Sequence, residues 1–173
     1  MLRSRRMRAL VAVPAALALA AVTVTAAATA AGARRPNPAV EIGTAKIPKL
    51  GTVLVNGAGR VLYMFQPDNH AKVVCSAACQ KIWPPVVAPR TGVARARYGA
   101  RQSLIGSDRN PVDGKRIVTY DGWPLYTYVL DTGRHQDNGQ NIALNGGYWW
   151  ALSPAGKINR TPISHGGGDI TAD

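Results

Sequence analysis

The sequence predicts a mainly β protein: a small single domain of repeated β-hairpins with one short helix after the first repeat. Three observations carry this. Arg116-Ile-Val-Thr-Tyr120 and Trp123-Pro-Leu-Tyr-Thr-Tyr128 are runs of β-branched and aromatic residues joined by Asp121-Gly122, a dipeptide that favours a tight hairpin turn. Some sixty residues earlier, Leu54 to Asp68 runs through the same order of strand, Gly-rich turn, strand, aromatic pair and aspartate. Gly147 to Leu152, the turn Ser153-Pro-Ala-Gly156 and Lys157-Ile158 suggest a third hairpin.

The two similar stretches share a Leu-Tyr-x-aromatic-x-x-Asp core, carried by Leu62, Tyr63, Phe65 and Asp68, and again by Leu125, Tyr126, Tyr128 and Asp131. Such self-similarity points to an internal repeat. Side chains alternate across a strand, so Tyr63 and Phe65 share one face while Leu62 and Met64 share the other, and Tyr126 and Tyr128 are opposed to Leu125 and Thr127. Each copy therefore offers a two-ring ledge, either a binding face or part of the core. Asp68 and Asp131 fall where the chain leaves the sheet, where a carboxylate can accept backbone N–H groups and cap a turn. The alternative for both is a ligand-binding or catalytic role.

Residues 1–30 have the pattern of an export signal. Arg3, Arg5, Arg6 and Arg8 precede an uncharged run from Ala9 to Ala31, and Ala28-Thr-Ala30 supplies a small-x-small cleavage site, with cleavage expected after Ala30 or, alternatively, after Ala28. Ser4-Arg5-Arg6 matches the twin-arginine route only weakly, and an uncleaved signal anchor is the other reading of the run. No cysteine lies near the cleavage site, so nothing there can be lipidated. Residues 31–50, with Pro36, Pro38 and Pro48, read as a tether. Residues 51–159 form the β-rich domain with both repeats, and 160–173, with a Gly166-Gly-Gly168 run, read as a flexible tail.

Removing the signal takes away four of 21 basic residues and no acid, which leaves 17 against nine and a net charge of +8 on 143 residues. This field favours anionic partners, such as a cell-wall polymer. An exported protein seldom meets nucleic acid, and membrane contact is expected only through an uncleaved signal. Arg90, Arg95, Arg97 and Arg101 fall in a Gly- and Ala-rich connection and read as a solvated loop ahead of a binding patch.

After the first repeat, Ser76 to Ile82 suits a short helix that Pro84-Pro85 must end, with Trp83 plugging the core at its exit. Cys75 and Cys79 are the two cysteines of the chain, and export makes a disulfide the default expectation.

Gly51-Thr-Val-Leu-Val-Asn56 with Gly59-Arg-Val-Leu-Tyr63, Cys75-x3-Cys79 followed by Trp83-Pro-Pro85, Tyr120-Asp-Gly-Trp-Pro-Leu-Tyr126 and Gly147-Tyr-Trp-Trp-Ala-Leu-Ser-Pro-x-Gly156 together resemble the bacterial secreted-repeat lipoproteins. That family is marked by a repeated Tyr-x4-Asp motif, here Tyr63 to Asp68 and Tyr126 to Asp131. The resemblance spans Gly51 to Lys157. It departs from the many members that carry a lipobox cysteine. It implies a secreted envelope protein and implies no reaction.

Three function classes follow. The first is a non-enzymatic envelope module that binds a wall polymer, a small ligand or an envelope protein through the ledges Tyr63, Phe65, Tyr126 and Tyr128 with Asp68 and Asp131, and needs no cofactor. The second is a redox or metal module, because Met64, His70, Cys75 and Cys79 offer soft sulfur and imidazole within sixteen positions, although the Cys-x-x-Cys-His haem attachment pattern is absent. The third is a carboxylate-dependent hydrolase, in which Asp68 and Asp131 would pair across a pseudo-twofold axis. No Gly-x-Ser-x-Gly elbow occurs, and the first class is preferred.

Overall fold

A computed structural model describes residues 40–68, 72–90 and 93–163, all within one compact unit, Pro36–Asp173. The expected export signal, His70 and the outer part of the tail lie outside the described residues. The strands are β1 Glu41–Ile47, β2 Gly51–Asn56, β3 Tyr63–Phe65, β4 Arg95–Ala96, β5 Ile105–Arg109, β6 Arg116–Tyr120, β7 Trp123–Pro124, β8 Ile142–Leu144 and β9 Gly147–Ala151, and one α-helix, α1, spans Ala77–Ile82. They form three small sheets, ordered β2-β1-β4, β3-β9-β8 and β5-β6-β7. Among the described residues the fold is mainly β with one α-helix, as the sequence predicts.

Turn chemistry accounts for the tight connections. Asp121 and Gly122 take φ of 49° and 79°, and Asn145 and Gly146 take 60° and 86°. Two successive positive φ values match the right-handed twist of the flanking strands, which is why Asp-Gly and Asn-Gly stand there. The helix begins at Ser76, whose Oγ accepts the Cys79 N–H at 3.3 Å, and ends at Trp83 before the two prolines.

Several boundaries differ from the sequence reading. The tether expected over residues 31–50 gives up Glu41–Ile47 to β1, which pairs with β2 from Ile42↔Asn56 to Ile47↔Gly51. This partner is distant from any motif, and Pro48 obscures it by opening the turn between the two strands. The expected first hairpin is short, with Asn56 N donating to Arg60 O and Leu62 N donating to Leu54 O on either side of the bridge Val55↔Val61, and beyond it β3 pairs with β9. Trp149 and Phe65 face each other in that register. The third hairpin survives as the bridge Leu152↔Ile158, while β9 itself lies between β3 and β8 and pairs with both. The expected tail is tied down at its start: Gln140 Nε2 donates to Thr161 O at 3.0 Å, and Ile163 packs on the core.

The β3-β9 pair is buried on both faces and separates two cores. Tyr63, Phe65, Tyr126, Tyr128, Trp83 and Trp149 lie in one, with Val53 and Val55 from β2. Leu62, Met64, Leu125, Trp150 and Leu152 lie in the other, with Leu54, Val118 and Tyr120. The period-2 assignment of faces is therefore correct for both repeats. A strand with apolar residues on both faces loses the polar alternation of a surface strand, which is why Tyr63-Met64-Phe65 is continuously hydrophobic.

Trp83, at 0% exposure, is stacked face to face on Trp149 with centroids 3.9 Å apart and planes 2° apart. Trp83→Ala is expected to cost about 3–5 kcal/mol, the usual loss for a large buried aromatic. Urea unfolding measures it, and loss of the near-ultraviolet circular dichroism of the Trp pair should accompany it.

Candidate functional site

The Tyr-x4-Asp motifs meet at the centre of the domain. Tyr63 N donates to Tyr126 O and Tyr126 N donates to Tyr63 O, both at 2.9 Å. The two motif tyrosines are thus a hydrogen-bonded antiparallel pair, and the repeats are related across it by a local two-fold exchange.

The side chains repeat that exchange. Tyr63 Oη donates to Asp131 Oδ2 at 2.6 Å, and Tyr126 Oη donates to Asp68 Oδ2 at 2.6 Å. Each tyrosine serves the aspartate of the other repeat. The remaining oxygen of each carboxylate caps its own loop: Asp68 Oδ1 accepts Val74 N at 2.7 Å and Cys75 N at 3.3 Å. Asp131 Oδ1 accepts Asn138 N at 3.0 Å and Asn138 Nδ2 at 3.1 Å. Cys75 and Asn138 each stand seven positions past their aspartate, so the same capping contact recurs at the same spacing in both copies.

Both aspartates are wholly buried, at 0% exposure. Burial raises their carboxyls above the ordinary value, and the phenol and N–H bonds pull in the opposite direction. Burial also pushes the Tyr63 and Tyr126 phenols well above their ordinary value, with the facing carboxylate adding to the shift.

The rings follow the same exchange. Phe65, Trp149, Trp83 and Tyr128 form a continuous stack with centroid spacings of 4.3, 3.9 and 4.3 Å. Tyr63 meets Trp83 edge-on at 5.6 Å, and Tyr126 meets Trp149 edge-on at 5.2 Å. Each ledge therefore packs on a tryptophan, Phe65 on that of the second repeat and Tyr128 on that of the first.

The ledge as a binding face is thereby corrected. Tyr63, Phe65, Tyr126 and Tyr128 are 0%, 2%, 0% and 3% exposed, so no ligand reaches them in this fold. The sequence shows two-ring faces but cannot show the tryptophans that cover them. The turn-cap reading of Asp68 and Asp131 holds and is extended, because the caps are also bonded across the repeats. As a hydrolytic pair they are poorly placed, since both oxygens of each carboxylate are already engaged and no solvent reaches them.

The soft-ligand set does not assemble either. Cys75 and Cys79 form a disulfide with Cα atoms 5.4 Å apart, which consumes both thiolates. Met64 is buried in the second core, whereas the cysteines belong to the first. Among the described residues no group of three or more His, Cys, Asp and Glu side chains is placed to hold a metal.

Two residues of the centre escaped sequence reasoning. Gly139 N donates to Tyr63 Oη at 3.2 Å, and a Cβ on Gly139 would stand 2.8 Å from the Tyr63 ring and 2.9 Å from Trp83. Gln140 is wholly buried, and its Oε1 accepts Ala151 N at 2.8 Å. Both lie in Thr132–Asn141, whose polar composition suggests an exposed loop. An Asn-Gly-Gln sequence carries no signal for burial, since its partners come from β9 and from the first repeat.

A family described as a secreted repeat of unknown function matches residues 44–87 and 109–153. The two matches contain one Tyr-x4-Asp motif each, so the family's repeat is the unit exchanged about Tyr63 and Tyr126. No curated protein and no solved structure matches the chain.

Two outcomes are expected. Tyr63→Phe and Asp131→Asn should each cost about 1–3 kcal/mol, the range for disturbing a buried hydrogen-bonded group. The double variant should cost less than the sum, because both changes remove one interaction; denaturant unfolding of the four proteins gives the coupling. The second outcome concerns alkali. A phenol whose folded-state pKa lies above its unfolded value contributes stability that is whole below the unfolded value, here 10.0, and is lost as pH rises above it. Tyrosinate absorbance from Tyr63 and Tyr126 should therefore appear together with the loss of circular dichroism, not ahead of it.

Proposed function

Because the chain belongs to the family of secreted repeats of unknown function, we propose that it is a non-enzymatic module of the cell envelope, with a rigid interior and a basic exterior that contacts an anionic wall polymer. The observation that supports this reading most is the state of the motif carboxylates. Asp68 and Asp131 are buried and fully hydrogen-bonded, so the residues that mark the family hold the two repeats together and leave recognition to the surface.

The surface is unevenly charged. From residue 69 to 107 there are six lysines and arginines and no acid. Two ion pairs form among the described residues, Arg97 with Glu41 at 3.0 Å and Lys115 with Asp113 at 2.9 Å. Exposed ion pairs of this kind contribute little, and exposed cations such as Lys72, Lys81, Arg95 and Arg101 are open to a polyanion.

Sedimentation with isolated bacterial walls tests the proposal. The protein is expected to pellet with walls at low salt, to be released as salt screens the attraction, and to leave the wall polymers at their original length. Asp68→Asn should pellet as the parent does while melting lower. Protein that stays in the supernatant at low salt, or wall polymer that shortens with time, would count against it.

A further inference from the structure

The region of the surface that stands out is the Arg95–Arg101 turn at the edge of the first sheet. β4 pairs in parallel with β1, through Glu41↔Arg95 and Ile42↔Ala96, and the chain then turns at Tyr98-Gly99, with φ of 45° and 89°. A positive φ is unfavourable for an aromatic residue, yet Tyr98 is 83% exposed, so burial of its ring gives no reason for the conformation. The turn is held by its surroundings. Thr44 Oγ1 donates to Tyr98 O. Gln102 ties both sides of β4, accepting Ala96 N at 2.9 Å and donating to Ala94 O at 3.0 Å. Arg101 N donates to Tyr120 Oη at 2.9 Å, and Tyr120 belongs to the second core.

This anchoring presents one exposed ring among three exposed arginines. Arg95 and Arg97 are two positions apart in an extended run and so lean the same way, and Arg101 follows the turn. Glu41 pairs with Arg97 at 3.0 Å, which leaves the cluster with a clear positive excess. Guanidinium groups suit phosphate, which they bind through paired N–H bonds. A flat exposed ring suits the apolar face of a sugar or polyol. Because the backbone is already ordered, little backbone freedom is lost on binding.

We propose that the Arg95–Arg101 turn binds a linear polymer of polyol or sugar phosphates, with Arg95, Arg97 and Arg101 taking successive phosphates and Tyr98 covering the carbon face between them. This rests on the wall-polymer reading above and names its site. Single-stranded nucleic acid offers a similar alternation of phosphate and ring, and the secreted character of the family favours the wall polymer.

The experiment measures binding of a fluorescent synthetic glycerol phosphate oligomer by anisotropy over a range of salt. The parent is compared with Arg95→Gln/Arg101→Gln, with Tyr98→Ala and with a Lys157→Gln/Arg160→Gln control of equal charge change. The arginine pair is expected to weaken binding by about tenfold and to lower the slope of log affinity against log salt by about two, as for the loss of two phosphate contacts. Tyr98→Ala should weaken oligomer binding and leave inorganic polyphosphate binding as it was, and the control should bind as the parent does. If the parent binds and the arginine pair weakens it no more than the control, this turn is not the site, while the wall-polymer reading survives. If single-stranded DNA of equal charge competes as well as unlabelled oligomer, the assigned ligand class is wrong. If walls retain the protein but the oligomer does not bind, the polymer named here is wrong; if neither binds, both readings fall. All three variants lie on the surface, and unchanged melting confirms that loss of binding is not loss of fold.

Discussion

Two carboxylates inside a small β domain set the terms for everything around them. An ionised aspartate removed from water is costly unless donors replace its hydration, and the cost grows when any one of them is missing. Asp68 and Asp131 each draw one donor from a tyrosine of the other repeat and the others from their own loop. Neither repeat can satisfy its own aspartate without the other. The arrangement therefore specifies that the two repeats dock in one orientation.

The aromatic stack is the apolar counterpart of that exchange. Ring pairs add about 0.5–1.5 kcal/mol beyond the area they bury, and here three successive stacked contacts join four rings from both repeats. The symmetry is incomplete. Trp149 Nε1 donates to Leu144 O at 3.2 Å, whereas Trp83 Nε1 is buried without a partner among the described residues. Trp83 follows a helix and Trp149 sits within a strand, so their surroundings beyond the stack differ. The disulfide lies in the same core and closes the turn that delivers Trp83.

An interior of this kind commits the motif residues to stability. The motif residues are used up in holding the repeats together, which leaves the connections free to carry charge and exposed rings. β4 and the turn after it are tied to β1, to Gln102 and to the Tyr120 hydroxyl. Side chains on such a turn are held by a rigid frame while their tips remain in water.

Local chemistry in the sequence determined the strand faces, the Asp121-Gly122 turn, the Ser76-capped helix, the pairing of Cys75 with Cys79 and the existence of two Tyr-x4-Asp units. Each of these depends on residues a few positions apart: period-2 alternation, the φ values that Gly and Asp tolerate, a side-chain oxygen within one turn, and two cysteines with no competitor. Tertiary structure alone decided that β3 pairs with β9, that β1 replaces an expected tether, that Gly139 and Gln140 are buried, and that the aromatic ledges are core. It also decided that each motif tyrosine serves the opposite aspartate. These outcomes join residues far apart in the chain, as in the pairing of Tyr63 with Ala151 and the Tyr63 bond to Asp131, 68 positions away. A two-ring strand face looks the same in sequence whether water or a tryptophan covers it, and only the docking of one repeat on the other supplied the tryptophan.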